Sequence, residues 1–162
     1  MTRSIYVLNG PNLDMLGQRE PELYGTTTLA DIEKDCLEVA SGLGYELRFL
    51  QSNAEHEIID WLHDAYREAA AVVINPAGLS FGSVPVLDAL RMLSVPIVEV
   101  HLTNIHGRDE AHRHSLMSPV VTTVIAGAGP FGYQLAIRSA DRSVHTRTPF
   151  AHTGGSHDHS SE

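Results

Sequence analysis

The sequence predicts an α/β fold, a five-stranded parallel sheet with helices on both faces. Three observations carry that prediction. Short apolar runs such as Ile5-Tyr6-Val7-Leu8 and Ala71-Val72-Val73-Ile74 alternate along the chain with segments of helical periodicity. These runs are continuously apolar rather than alternating, as strands buried on both sides require. Polar turn residues close them at Asn9-Gly10-Pro11 and at Asn75-Pro76-Ala77-Gly78.

The elements follow in order. The first strand ends at Asn9. Thr28 reads as an N-cap, and apolar residues at Leu29, Ile32, Cys36, Leu37, Val39 and Ala40 give the first helix its stripe. Gly42 and Gly44 close that helix, and residues 46–50 read as the second strand. Ile58, Ile59, Leu62, Ala65 and Tyr66 form one face of a second helix. The third strand is residues 71–74. A third helix spans about 83–93, with Pro85 tolerated in its first turn. Residues 96–100 and 123–126 complete the sheet, and a last helix runs from Gly129 to about Ala140. Five such units fit the flavodoxin-like doubly wound order, a three-layer sandwich. Ligands of such sheets sit beyond the carboxyl ends of the strands, so Asn9 to Asn12, Gln51-Ser52-Asn53, Asn75 and His101 are expected to cluster. Residues 1–143 form one domain on this reading. Residues 144–162 are rich in Thr, His, Gly and Ser without periodicity and read as a disordered tail. His152, His157 and His159 in that tail lack regular ligand spacing, so the expectation is a solvated segment and no metal site.

Composition narrows the function classes. At 162 residues with 43% hydrophobic and 19% charged, the chain suits one globular domain. A formal net charge of -9 argues against a nucleic-acid partner, which a basic face would bind. The single cysteine, Cys36, excludes an intramolecular disulfide and shares its helical spacing with Ile32 and Ala40, as core filler does. No apolar run is long enough to span a bilayer, and no long h-region marks a signal peptide, so no membrane partner and a cytoplasmic location are expected. There is no internal repeat.

Two groups of residues carry chemistry. Asn9-Gly10-Pro11-Asn12 places amides at the end of the first strand, and Arg19 and Tyr24 follow on a loop. A tyrosine is a poor base at neutral pH, its unperturbed pKa being about 10. An adjacent guanidinium favours the phenolate, which turns an Arg–Tyr loop into a plausible proton-abstraction device. Further on, Glu99 and His101 lie two apart on one strand and therefore on one face. A carboxylate there can hold the imidazole in one tautomer and favour its protonated form.

The motifs that contain these residues form an ordered set. Leu8-Asn9-Gly10-Pro11-Asn12-Leu13, Arg19-Glu20-Pro21 with Tyr24-Gly25, Gln51-Ser52-Asn53, and Glu99-Val100-His101 with Asn104-Ile105-His106 follow one another. Arg108, His114-Ser115 and Gly127-Ala128-Gly129 with Gly132-Tyr133 complete it. The set resembles the type II 3-dehydroquinate dehydratases, shikimate-pathway enzymes of flavodoxin-like fold, over roughly residues 5–140. The resemblance implies a hydro-lyase that needs no metal or organic cofactor and assembles as a homo-oligomer, a dodecamer of four trimers. It implies anti elimination of water from a cyclic β-hydroxy ketone acid through an enolate. Tyr24 is then the base, with Arg19 and Arg108 the cations that lower its pKa. Asn12 stabilises the enolate oxygen through a water, and His101, held by Glu99, protonates the departing hydroxyl. Asn75 orients His101 or binds that hydroxyl, Leu102 and Thr103 hold the substrate carboxylate, and Asp88 reaches the ring hydroxyls from a neighbouring subunit. His106 and Ser115 match the pattern and are as readily structural.

The chain departs from this family pattern at one end of the substrate. Phe81 stands where a His is usual, Leu87 where an Arg is usual, and His112 where an Arg is usual. Arg113, one step along, is turned away if the segment is helical. Ala54 and His56 depart as well. A hydroxyl desolvated without a partner costs about 1–3 kcal/mol. Two substrates therefore stand open: 3-dehydroquinate, with His112 and water replacing the lost donors, or a relative altered at C4 or C5. Two other classes compete. One is a flavin mononucleotide binder, although Asn9-Gly10-Pro11-Asn12 lacks the donors of a phosphate cradle. The other is an inactive assembly subunit, against which Arg19, Tyr24, Asn75 and His101 speak.

Overall fold

The structure is a computed structural model that describes residues 2–18 and 20–146, with the backbone alone at Leu23 and Tyr24. Five strands form one parallel sheet: β1 (Arg3–Asn9), β2 (Tyr45–Gln51), β3 (Ala69–Asn75), β4 (Ile97–His101) and β5 (Thr123–Ala126). Their spatial order is β2-β1-β3-β4-β5, the flavodoxin-like order. The intervening helices are α1 (Pro21–Tyr24), α2 (Leu29–Gly42), α3 (Glu55–Glu68), α4 (Val84–Arg91) and α5 (Phe131–Thr146).

Strand alternation sorts the core into two layers. Ile5, Val7, Ala71, Val73, Val98 and Val100 face α2 and α5, where Ile32, Cys36, Ala40, Ala136 and Ile137 meet them. Tyr6, Leu8, Val72, Ile74 and Ile97 face α3 and α4, meeting Ile58, Leu62, Val86 and Leu90. Residues of one strand thus feed both cores, which is why the runs are continuously apolar. Thr28 caps α2 through a reciprocal box with Asp31, and Ser83 caps α4 by accepting from the Val86 amide. Cys36 is buried and unpaired, and burial pushes its thiol up to about 12.

Several expectations are corrected. Leu37 and Tyr66, assigned to buried stripes, are 51% and 56% exposed, at the margins of their helices' apolar faces. The Arg–Tyr segment is not all loop, since Pro21–Tyr24 forms a helical turn entered through Glu20 at φ 43. The last helix runs through Val144, His145 and Thr146. His145 Nδ1 lies 2.9 Å from the Asp141 carbonyl, and Val144 packs against the core. The proposed tail therefore loses its first three residues to α5. Residues 147–162, with His152, His157 and His159, lie outside the described residues. Among the described residues no helix is long and apolar enough to cross a membrane, and no three His, Cys, Asp or Glu side chains gather to hold a metal ion.

The strand ends are tied together tightly. The Gly10 amide donates to the Asn75 carbonyl at 2.8 Å, and the Ser52 amide donates to the Asn9 carbonyl at 3.1 Å. These bonds extend the β2-β1-β3 pairing past the last ladder residues and fix the floor of a cavity.

Candidate active site

A cavity of about 240 Å³ opens at the carboxyl ends of β1, β3 and β4, where doubly wound sheets carry their ligands. Its floor is Pro11, Asn12, Asn75, His101 and Leu102. One wall is Ala77, Gly78 and Phe81, and the other is Thr103, Ile105, Arg108 and His112. Leu13, Met15 and Leu16 close the apolar side.

The wall at β4 contains a buried ion-pair geometry. Glu99 is fully buried and His101 is 5% exposed, with His101 Nε2 2.6 Å from Glu99 Oε1. The Ser115 hydroxyl donates to the same oxygen, and Ser118 Oγ donates to Oε2 at 2.7 Å. Burial alone would push the Glu99 carboxyl up. The bonds from His101, Ser115 and Ser118 outweigh it and hold the carboxyl below its ordinary value. An ionised carboxylate only accepts, so Nε2 carries a proton toward it. The sign of the pH effect follows. A depressed folded-state pKa stabilises above the ordinary carboxylate pKa and loses that contribution as pH falls through the folded value. Urea midpoints of the wild type should therefore fall more steeply below about pH 4.5 than those of Glu99→Gln, which has no such proton to bind. Parallel acid limbs for the two proteins would contradict this.

Asn75 is 3% exposed and ends β3. Its Nδ2 donates to the Tyr133 hydroxyl at 2.9 Å, and its Oδ1 accepts from the Ala77 amide at 3.2 Å. The expected contact that would orient His101 is not made. Asn75 is in phase with Val73 and looks toward α5, whereas His101 is in phase with Glu99 on the opposite face.

Asn12 follows Pro11 with φ 69, a left-handed conformation that Asn tolerates. Its amide donates to Asn53 Oδ1 at 2.8 Å, and Gln51 Nε2 bonds the same oxygen at 3.1 Å. The chain then enters a short 3-10 turn, Leu13–Met15, rather than a long helix. The loop therefore does not open directly onto an α-helix N-terminus of the kind that cradles a flavin phosphate.

On the far wall, Arg108 Nη2 donates to Thr103 Oγ1 at 2.6 Å, which brings a guanidinium beside Leu102 and Thr103. His112 is held by Asp109, Nδ1 lying 2.9 and 3.0 Å from its two carboxylate oxygens. The bond from His112 holds the Asp109 carboxyl below its usual range. Phe81 meets the His112 ring edge-on, with centroids 5.4 Å apart. Arg113 is indeed turned elsewhere, its Nε and Nη2 donating to the Arg108 carbonyl. It ends a short 3-10 turn, however, and not an α-helix.

The cavity gathers Asn12, Asn75, His101, Leu102, Thr103, Arg108, Phe81 and His112 from the residues expected on sequence grounds. Glu99 stands behind His101, out of the cavity. Asp88 is not brought in. It lies on α4 with its side chain 64% exposed, 3.6 Å from Arg91. Arg19 and the Tyr24 side chain lie outside the described residues. Ser118 as a support of Glu99, and Tyr133 as the link between Asn9 and Asn75, are not read from the sequence, and no local signal marks Ser118.

The comparisons with known proteins identify the family. Residues 3–141 match the family Dehydroquinase class II. A 3-dehydroquinate dehydratase 1 of Agrobacterium fabrum is 49% identical over 139 residues, covering 86% of this chain and 96% of the relative. A second from the same organism, 3-dehydroquinate dehydratase 2, is 51% identical over 132 residues, covering 82% and 90%. The crystal structure of type II dehydroquinase from Propionibacterium acnes superposes with a TM-score of 0.84 at 42% identity, covering 88% of this chain and 98% of that one. A matched sheet order, a cavity at the expected strand ends and a family match across residues 3–141 lead to one conclusion: this chain belongs to the class II dehydroquinase family.

Proposed function

We propose that this protein is a dehydratase that converts 3-dehydroquinate to 3-dehydroshikimate by anti elimination. The Glu99–His101 pair at the cavity wall is the observation that supports it best. A proton leaves the carbon next to the ketone, and its electron pair moves onto the oxygen as an enolate. The enolate then re-forms the ketone, expelling the β-hydroxyl, which takes a proton and departs as water. Tyr24 is the base, with Arg19 and Arg108 as the positive neighbours that favour its phenolate. Asn12 stabilises the enolate oxygen through a water, a kind of donor worth about 2.7–4 kcal/mol when preorganised. His101 delivers a proton to the leaving hydroxyl, and Asn75 donates to the same group. Leu102, Thr103 and Arg108 take the carboxylate, a role that the Arg108–Thr103 bond supports by bringing positive charge to that end. The protein works as a cytoplasmic homo-oligomer, a dodecamer, in which Asp88 serves the ring-hydroxyl end of a neighbouring copy's site.

At that end His112 takes the place of the lost donors. Asp109 fixes Nδ1 and leaves Nε2 for the substrate, directly or through a water. Phe81 supplies only a ring edge. This favours 3-dehydroquinate over a less polar substrate. Incubation with 3-dehydroquinate should produce the ultraviolet absorbance of a conjugated enone. The kcat/KM for 3-dehydroquinate should exceed those for its 4-deoxy and 5-deoxy analogues, by about tenfold or more per lost hydrogen bond. A preference for either analogue would point instead to a substrate altered at C4 or C5.

A further inference from the structure

We propose that Tyr133 is a positioning residue that, together with the Ala77 backbone amide, holds the Asn75 side chain so that its NH2 group serves the cavity. This rests on the dehydratase reading only for its kinetic consequence. The orientation itself follows from a chain of hydrogen bonds that has one possible direction. Asn9 Nδ2 donates to the Leu50 carbonyl at 3.0 Å, which fixes Asn9 with its Oδ1 toward Tyr133. An amide oxygen only accepts, so the phenol must give its single proton to Asn9, at 2.7 Å. The phenol is then left as an acceptor toward Asn75, and Asn75 must present its NH2 group, at 2.9 Å. The Ala77 amide on Asn75 Oδ1 requires the same orientation.

The consequence is at the cavity. An NH2 group has two protons, and Tyr133 takes one. Asn75 lines the cavity, so the second N–H is the polar function that it offers there. A phenol that donated to Asn75 would compete with the Ala77 amide for Oδ1, whereas an accepting phenol reinforces it. Tyr133 is fully exposed to none of the solvent, and its burial pushes the phenol's pKa up, so the proton that gives the chain its direction stays in place. Tyr133 comes from α5, Asn9 from β1 and Asn75 from β3, so one helix sets the donor pattern of two strand ends.

The test is a double-mutant cycle of Tyr133→Phe and Asn75→Ala, followed by the enone absorbance. Tyr133→Phe alone should lower kcat/KM about tenfold, mostly in kcat, because the donor acts on the leaving hydroxyl. In the Asn75→Ala background the same substitution should change kcat/KM less than twofold. Equal factors in both backgrounds would overturn the proposal, since a purely structural loss ignores Asn75. Asn9→Leu/Tyr133→Phe replaces the buried polar pair by apolar groups, removes the unpaired Asn9 acceptor that the single variant leaves, and serves if that variant does not fold. The side-chain NH2 resonances of Asn75, assigned by their loss in Asn75→Ala, should shift in Tyr133→Phe. Unmoved resonances would overturn the orientation claim without reference to turnover. Moved resonances in an enzyme inert toward 3-dehydroquinate would keep the orientation and strike the dehydratase reading.

Discussion

Replacing Tyr24 by Phe should lower kcat by about 10²–10⁴-fold, the usual worth of a positioned general base, while leaving the fold intact. The substitution deletes one oxygen. The neighbouring Pro21, Glu22 and Gly25 are all exposed. Substitutions at such sites usually change stability by no more than about 0.5 kcal/mol. Initial rates of enone formation and far-ultraviolet circular dichroism check the two halves separately. Substrate binding should persist, because the carboxylate is proposed to rest on Leu102, Thr103 and Arg108, which the substitution leaves in place. A variant that keeps most of its rate moves the base to another residue. A variant that loses its circular dichroism shows that the turn is structural.

Glu99 carries the second large effect, and two substitutions divide it. Glu99→Ala removes the acceptor for His101, Ser115 and Ser118 at a site with no exposure. Breaking a buried pair in this way costs about 3–5 kcal/mol. For a domain of this size each kcal/mol corresponds to about 2–4 °C in Tm, so the transition should fall by roughly 10 °C. Glu99→Gln keeps the shape and one acceptor, and a serine hydroxyl can rotate to accept from the new NH2 group. Its Tm should stay near the wild type. Its kcat should still fall, by about 10²-fold, because a neutral amide does not stabilise charge on the imidazole as a carboxylate does. Calorimetry and steady-state rates on the pair distinguish the roles. Wild-type kcat in Glu99→Gln would make the carboxylate a packing element only.

The sheet was legible because its signal is local: β-branched runs, turn residues after them, and Thr28 and Ser83 as caps each act within a few residues. The Glu99–His101 contact was legible for the same reason, as a two-residue spacing on one strand fixes a shared face. The cluster of Asn12, Asn75 and His101 followed from topology, which places every strand's carboxyl end along one side. The supports were not legible. Tyr133 meets Asn9 and Asn75 across 124 and 58 residues of chain, and nothing near any of the three encodes the meeting. The segment 105–120 has no periodicity because it is a series of short 3-10 turns, two of them held by Asn104 and Asp109 side chains rather than by an apolar face. The sequence understates the length of α5 because His145 and Thr146 are weak in helix propensity. Their side chains bond back to carbonyls four residues earlier, and Val144 anchors the turn.

Gly10 has a further consequence for how this architecture can vary. A methyl group built on it would lie 2.3 Å from the Pro76 carbonyl oxygen, a backbone atom that has no rotamer to retreat into. Any side chain there would wedge the first and third strand ends apart and carry the Asn12 and Asn75 amides with them. The absence of one carbon thus sets the gauge between the two strand-end loops of the cavity, and mutational drift at position 10 is closed to the protein even though Gly10 does not line that cavity.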